Sequence, residues 1–222
     1  MTTVTGTFEL HVFVAPLDPP PEVIERFKAA CQGAPSPTKA LHLQLDYVNR
    51  GFVGVLQTSR YVQGDLAHAI HSIHEDAAMI RAAGLEVLRE KVEALGTNAG
   101  VPRDDADAKG EPPGRYFEFH VLIDGVDHPL SEEDMVALRG LSRDLGAELK
   151  APVPLSYNTL KPAQRFLNLR GHGVGLDRAL APVKDLERRV ADGRALKVTK
   201  LISEYICFDT NPAVDNGWTE PL

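Results

Sequence analysis

From residue 7 the chain alternates. Phe8, Leu10, Val12 and Val14 are apolar, and Glu9, His11 and Phe13 fall between them. Successive side chains on a strand point to opposite faces, so this pattern predicts a half-buried strand over residues 7–15. Residues 19–32 then place Val23, Ile24, Phe27 and Cys31 at helical spacing behind prolines, with Asp18 as the expected N-cap. Residues 40–47 alternate again, with Leu41, Leu43 and Leu45 against His42, Gln44 and Asp46. Residues 52–62 are rich in β formers. A helix is expected over 65–84, with Leu66, Ile70, Ile73, Ala77 and Ile80 facing in and Gly84 as its stop. Residues 85–95 fit either period, and their place in the order makes them a strand.

Residues 96–114 carry turn formers and charges without an apolar period, which reads as a linker. After it the order returns. A strand is expected at 115–124, and a helix at about 132–149 capped by Ser131 and Asp134. Strands follow near 152–160 and 164–170, then a helical stretch over 173–192 and a final strand over 195–208. Pro182 sits inside that last helical stretch. A proline there costs about 3 kcal/mol, so the helix proper is expected to start near it.

The two halves match at nearly constant spacing. Glu9 and His11 return as Glu118 and His120, 109 residues on; Arg60 aligns with Arg165, 105 on; Arg89 and Glu93 align with Lys200 and Glu204, 111 on. The expectation is an α+β protein built by tandem duplication of a ferredoxin-like βαββαβ module with antiparallel sheets. The modules would be residues 1–95 and 115–222, the second carrying a C-terminal tail, with the linker between.

Assigning Phe8, Leu10, Val12 and Val14 to the helix side leaves Glu9 and His11 on the free face of the sheet. By the same rule Leu88 and Val92 face the helices, while Arg89, Lys91 and Glu93 join Glu9 and His11. His42, Gln44 and Asp46 are placed there too. In the second half Glu118, His120, Lys200 and Glu204 repeat the plan, diluted by Leu122, Ile202 and Ile206. If the two faces share a cleft, both Glu-His pairs meet in it. A Glu beside a His raises the imidazole's basicity and suits general acid–base work, making Glu9, His11, Glu118 and His120 the candidate catalytic groups. Arg60, Arg89, Lys91, Arg165 and Lys200 could hold a phosphate or carboxylate, which makes a small anionic molecule the expected ligand. Cross-strand ion pairs on an exposed sheet would look the same and contribute only about 0.2–1 kcal/mol each. That leaves a non-catalytic ligand-binding or self-assembling protein as the plain alternative.

Composition narrows the classes. The chain has 222 residues, a net charge of −7 and a pI near 5.6, so it offers no basic field for nucleic acid or anionic lipid. No apolar run approaches the roughly 20 residues of a membrane span, and the start lacks a signal-peptide pattern. Two separated cysteines, Cys31 and Cys207, fit a reducing compartment and a cytoplasmic location.

His11 with Glu93, and His120 with Glu204, also form a two-His, two-carboxylate set that would suit a divalent metal ion as cofactor. This plan resembles that of the vicinal oxygen chelate proteins, in which paired modules each give ligands from their first and last strands. The resemblance implies a metal-dependent lyase, isomerase or dioxygenase with His11, Glu93, His120 and Glu204 as ligands. That family's modules run βαβββ, whereas here a long helix precedes each last strand. The FExH strands together with the terminal DTNPxxDxGW at 209–218 resemble a bacterial family of uncharacterised activity, and this implies a shared scaffold only. Among weaker signals, His68, His71 and His74 read as a solvated helix face. Gly171, Gly173 and Gly175 read as a turn, or less simply as a phosphate loop. Trp218, the one tryptophan, is expected to pin the tail to the body, with a gate over the cleft as the alternative.

Overall fold

The computed structural model describes residues 3–47, 50–193 and 195–218. Its strands are β1 (Thr5–Val14), β2 (Lys39–Tyr47), β3 (Gly51–Asp65), β4 (Val87–Leu95), β5 (Tyr116–Gly125), β6 (Leu155–Asn158), β7 (Arg165–His172) and β8 (Leu196–Asp209). The helices are α1 (Pro21–Gln32), α2 (Leu66–Ala82), α3 (Asp105–Ala108), α4 (Glu132–Leu149), α5 (Leu176–Ala179) and α6 (Ala181–Asp192), and a 3-10 turn spans Pro212–Asp215.

The strands close into one antiparallel barrel in the order β1-β3-β2-β6-β7-β5-β8-β4. Within it β4-β1-β3-β2 and β8-β5-β7-β6 repeat one arrangement. The two sets are joined edge to edge, by β2 on β6 and by β4 on β8. The free sheet faces therefore meet inside one lumen, and the edges that would otherwise be unpaired satisfy each other. The helices pack outside. Phe8, Leu10, Val12 and Val14 meet Ala69, Ile73, Ala77 and Ile80 of α2. In the second half Phe117, Phe119 and Val121 join the same core as Leu138 and Leu145 of α4 and Val183, Leu186 and Val190 of α6.

Register exposes a repeated detail. Phe13 pairs with Arg89 and Val14 with Val87, so Leu88 is an extra residue; Leu122 pairs with Lys200 and Ile123 with Val198, so Thr199 is its counterpart. Each is a β-bulge at the same place in its half, and each bends the last strand as barrel closure requires.

Local expectations are met and missed for identifiable reasons. Ser131 and Asp134 form a capping box on α4, and Gly84 takes φ 73° just after α2. Asp18 does not cap α1. That helix starts after Pro20, and the Asp18 carboxylate instead accepts the Gly54 N–H at 2.6 Å. Pro182 lies in the first turn of α6, where it removes no needed donor, and the preceding turn separates as α5. The expected linker contains α3, capped by Asp104 through the Ala106 and Asp107 N–H groups. The Gly175 N–H donates to Asp105 at 3.0 Å, so the glycine loop is tied to this segment.

Two face assignments reverse. Leu43 and Leu45, with Tyr47, point into the lumen and pack with Phe13, Val53, Val55 and Trp218. The interleaved His42, Gln44 and Asp46 lie on the helix side, where Asp46 meets Arg139 of α4 at 3.4 Å. Leu88 also packs with the lumenal cluster, because its bulge flips it away from the helix side. Among the described residues no helix is long and apolar enough to cross a membrane.

Candidate functional site in the barrel lumen

Alternation on β1, β4, β5 and β8 sends Glu9, His11, Lys91, Glu93, Glu118, His120 and Glu204 into the lumen, where their side chains are almost wholly buried except that of His120. Burying charge is costly unless each group is paired, and here each finds a partner.

His11 is held at both nitrogens. Nδ1 lies 2.7 Å from the Thr58 carbonyl oxygen, which can only accept, so Nδ1 carries a proton. Nε2 lies 3.2 Å from Glu93 and 3.7 Å from Glu9. Thr58 opens the β1–β3 ladder for this purpose, since its hydroxyl accepts the Val12 N–H at 2.8 Å. Burial pushes the imidazole toward neutrality, but Glu93 and Glu9 outweigh it and raise its pKa to about 9.

His120 repeats the scheme with other atoms. Its Nδ1 donates to Asn168 Oδ1 at 2.6 Å. The Asn168 amide is fixed because its Nδ2 donates to the Pro154 carbonyl at 2.9 Å and to Ser156 at 3.0 Å. Nε2 faces Glu204 at 3.3 Å and Glu118 at 4.0 Å. Burial again opposes the charge, and Glu204 and Glu118 raise the pKa to about 9. The side chain of His120 is 24% exposed, against 2% for Glu118.

The carboxylates diverge. Glu93 is held well below the ordinary range, because Lys91 and His11 overcome the effect of its burial. Glu118 is held down too, its burial offset by Arg170 and Lys91. Glu204 goes the other way. Burial and the nearby Glu93 push it up to about 7, with His120 only partly compensating. Glu9 accepts from Ser59 at 2.6 Å and from the hydroxyl of Tyr61, a residue 53% exposed.

The expected cations part company. Lys91 lies in the network, 2.6 Å from Glu93 and in contact with Glu118. Arg89 is lumenal but already engaged, with Nε 2.8 Å from Asp209 and Nη1 2.8 Å from Asp215. Lys200 is exposed opposite Leu122. Arg60 and Arg165 are corrections, for both lie outside the lumen. Arg60 turns to α2, with Nε 2.9 Å from Asp76, and Arg165 stacks over Tyr157 at 4.2 Å. The register shows why. Glu9 pairs with Tyr61 and Glu118 with Arg170, so the matching positions are Tyr61 and Arg170, spaced like Glu9 and Glu118. Arg170 was missed by aligning the wrong arginine. It reaches Glu118 at 2.6 Å and Asp215 at 2.8 Å. Asn168 was missed with it, although both alternate with Leu167 and Leu169.

The four expected metal ligands form two imidazole–carboxylate pairs at hydrogen-bond distance, not one sphere. Coordination would need bare Nε2 atoms, whereas each Nε2 here is turned onto a carboxylate. The Lys91 ammonium already sits on Glu93. Among the described residues no three His, Cys, Asp or Glu side chains converge as a metal site. The arrangement does not fit a metal.

Fold and site together define an α+β barrel with an ionised, internally paired lumen. No family model matches the chain. A UPF0210 protein of Methanopyrus kandleri is 36% identical over 92 residues, 41% of this chain; the match spans only 20% of that protein's length. Three solved structures are similar along most of their length, each at 11% identity. They are a provisionally assigned monooxygenase of Fusobacterium nucleatum (TM-score 0.36, covering 94% of this chain and 95% of that one), a heme-binding protein of Thermus thermophilus (0.33, 92% and 92%) and a provisionally assigned chlorite dismutase (0.31, 92% and 95%). Likeness at this level transfers neither activity nor ligand.

Proposed function

We propose that this chain is an acid–base enzyme for a small substrate bearing a carboxylate or phosphate, worked at the end of the barrel where His120 reaches solvent. The observation that carries the reading is the His120–Glu204 pair. One accessible imidazolium, fixed through Asn168, touches one carboxyl raised to about 7. Two adjacent titratable groups with pKa values set apart can serve as acid and base in one cycle. Between about pH 7 and 9 Glu204 is the base and His120 the acid. Lys200, exposed two positions along β8 from Ile202, the cross-strand partner of His120, supplies the cation for an anionic group, and Glu9 and Tyr61 extend the polar rim. His11, Glu93, Lys91 and Glu118 lie deeper and hold the arrangement rather than touch substrate.

The matched registers and paired bulges support descent of the two halves, 1–95 and 115–222, from one βαββαβ ancestor. A metal-dependent reaction gains no support from the ligand geometry. The non-catalytic reading keeps one observation in its favour, that the inner ion pairs link β4 to β5 and satisfy each other.

The test is exchange in D2O. Wild-type protein, incubated with a panel of small carboxylates and phosphorylated carbonyl compounds, should exchange a carbon-bound proton of one of them, followed by proton NMR. His120→Gln should slow this by about 100-fold or more. Equal exchange by wild type and variant defeats the acid–base role. No exchange with any compound, together with unshifted His120 resonances, decides for the non-catalytic reading.

A further inference from the structure

The lumen holds a second cluster. Antiparallel order brings together the start of β4, the end of β8 and the start of β5, and there the tail turns back over the lumen. Its 3-10 turn places Asp215 between two guanidinium groups from different halves. One carboxylate oxygen is 2.8 Å from Arg89 Nη1, and the other is 2.8 Å from Arg170 Nη2. Arg89 keeps a separate partner in Asp209, which belongs to β8 and not to the tail turn. Lys91, Glu118 and Tyr116 adjoin, and the Tyr116 hydroxyl lies in the field of Lys91, Glu118, Arg170 and Arg89. This hydroxyl is buried with no hydrogen-bond partner among the described residues. A buried donor without a partner is uncommon and calls for an explanation.

We infer that Arg89, Arg170 and Tyr116 form a binding site for a small carboxylate ligand, and that the tail's Asp215 occupies it as an internal stand-in. Three features carry this. A carboxylate bridged by two planar guanidinium groups is the geometry such a ligand would adopt. Without Asp215, each guanidinium loses one carboxylate partner: Arg89 keeps Asp209, and Arg170 keeps only Glu118, which it shares with Lys91. The orphan Tyr116 hydroxyl is a further donor that Asp215 does not use. The tail is held by separable contacts. Tyr47 Oη donates to the Val214 carbonyl at 3.0 Å, and Trp218 Nε1 to the Leu155 carbonyl at 3.2 Å. A free ligand must compete with this tethered carboxylate, whose effective concentration is on the order of millimolar. The cluster adjoins His120 through Glu118, which accepts from Arg170 and lies 4.0 Å from His120 Nε2, but the inference uses no part of the acid–base reading given above.

Trp218 is the chain's single tryptophan and reports directly on the tail. Malonate titrated into the full-length protein at constant ionic strength should red-shift its emission along a saturable curve. Asp215→Asn, which keeps the shape but not the charge, and Asp215→Ala should tighten malonate binding at least about tenfold by calorimetry, because the internal competitor is gone. Arg170→Gln, if circular dichroism shows it folded, should lose the response. Inorganic phosphate is the comparison. Malonate binding more tightly supports the assignment, and phosphate binding as tightly or better overturns the choice of a carboxylate. If both Asp215 variants stay folded and neither binds malonate more tightly than wild type, the tail is a structural plug and the site is refuted.

Discussion

The Lys91 ammonium is shared between Glu93 on its own strand and Glu118 on β5, so one buried cation ties the two halves of the barrel together across the lumen. Burial alone would drive this lysine toward neutrality, but the two carboxylates keep it firmly charged. Removing the cation leaves two buried carboxylates with their mutual repulsion exposed. Lys91→Met is expected to lower stability by about 3–5 kcal/mol in urea unfolding. Adding Glu118→Gln should cost less than the sum of the two single changes, because they remove the same interaction. Strict additivity would show that the pair is not coupled.

Stability should fall as the solution is made alkaline. The folded pKa values of His11 and His120 are raised to about 9 from an ordinary 6.5. The folded state therefore binds these protons more tightly than the unfolded chain. The resulting stabilisation is complete below pH 6.5 and is lost as pH rises through 9. Glu204, raised to about 7 from 4.5, adds a loss between 4.5 and 7. Glu93 and Glu118 act oppositely, since their depressed values give stability that disappears below about 4.5. Thermal melts should thus peak near pH 5 and decline steadily to pH 9. His11→Gln should flatten the decline between 6.5 and 9. A profile that is level over that range would mean the imidazoles are not charged in the folded protein.

Arg60 separates the two views of the charged residues. Its partner is Asp76 on α2, outside the lumen, with a second contact to the Ser72 carbonyl oxygen at 3.3 Å. Arg60→Met should cost about 1–3 kcal/mol by stranding Asp76. It should leave malonate affinity and proton exchange unchanged. Loss of either at full folding would return Arg60 to the site.

Period-two alternation sufficed to place Glu9, His11, Glu93, Glu118, His120 and Glu204 on one face, because each alternates with residues that pack on helices. On β2 it separated Leu43 and Leu45 cleanly from His42, Gln44 and Asp46, but it could not say which set faced the lumen. In the structure Leu43, Leu45 and Tyr47 go inward, where they pack with Phe13, Val53, Val55 and Trp218. Bulges were invisible to it, so Leu88 was turned the wrong way. Matching the halves by similar letters led to Arg165, where the register places Arg170 opposite Glu118. Closure itself was out of reach. Nothing in the order βαββαβ says that β2 will pair with β6, and that pairing makes the two charged faces a single interior.

The tail's hold on the barrel can be measured at one side chain. Trp218 is buried against Phe13, Leu45, Tyr47, Val53 and Val55, and its indole N–H satisfies the Leu155 carbonyl oxygen. Trp218→Ala removes the largest apolar surface closing this end, which in a rigid core costs about 3–5 kcal/mol. Trp218→Phe keeps most of the packing and strands one acceptor, which costs about 1–3 kcal/mol. The melting temperatures should therefore fall in the order wild type, Phe, Ala. In the wild type, emission should be blue-shifted when folded and move red in the same urea transition as the far-ultraviolet signal if the tail unfolds with the barrel. A fluorescence change well before that transition would show that the tail detaches on its own, as release of Asp215 from Arg89 and Arg170 requires.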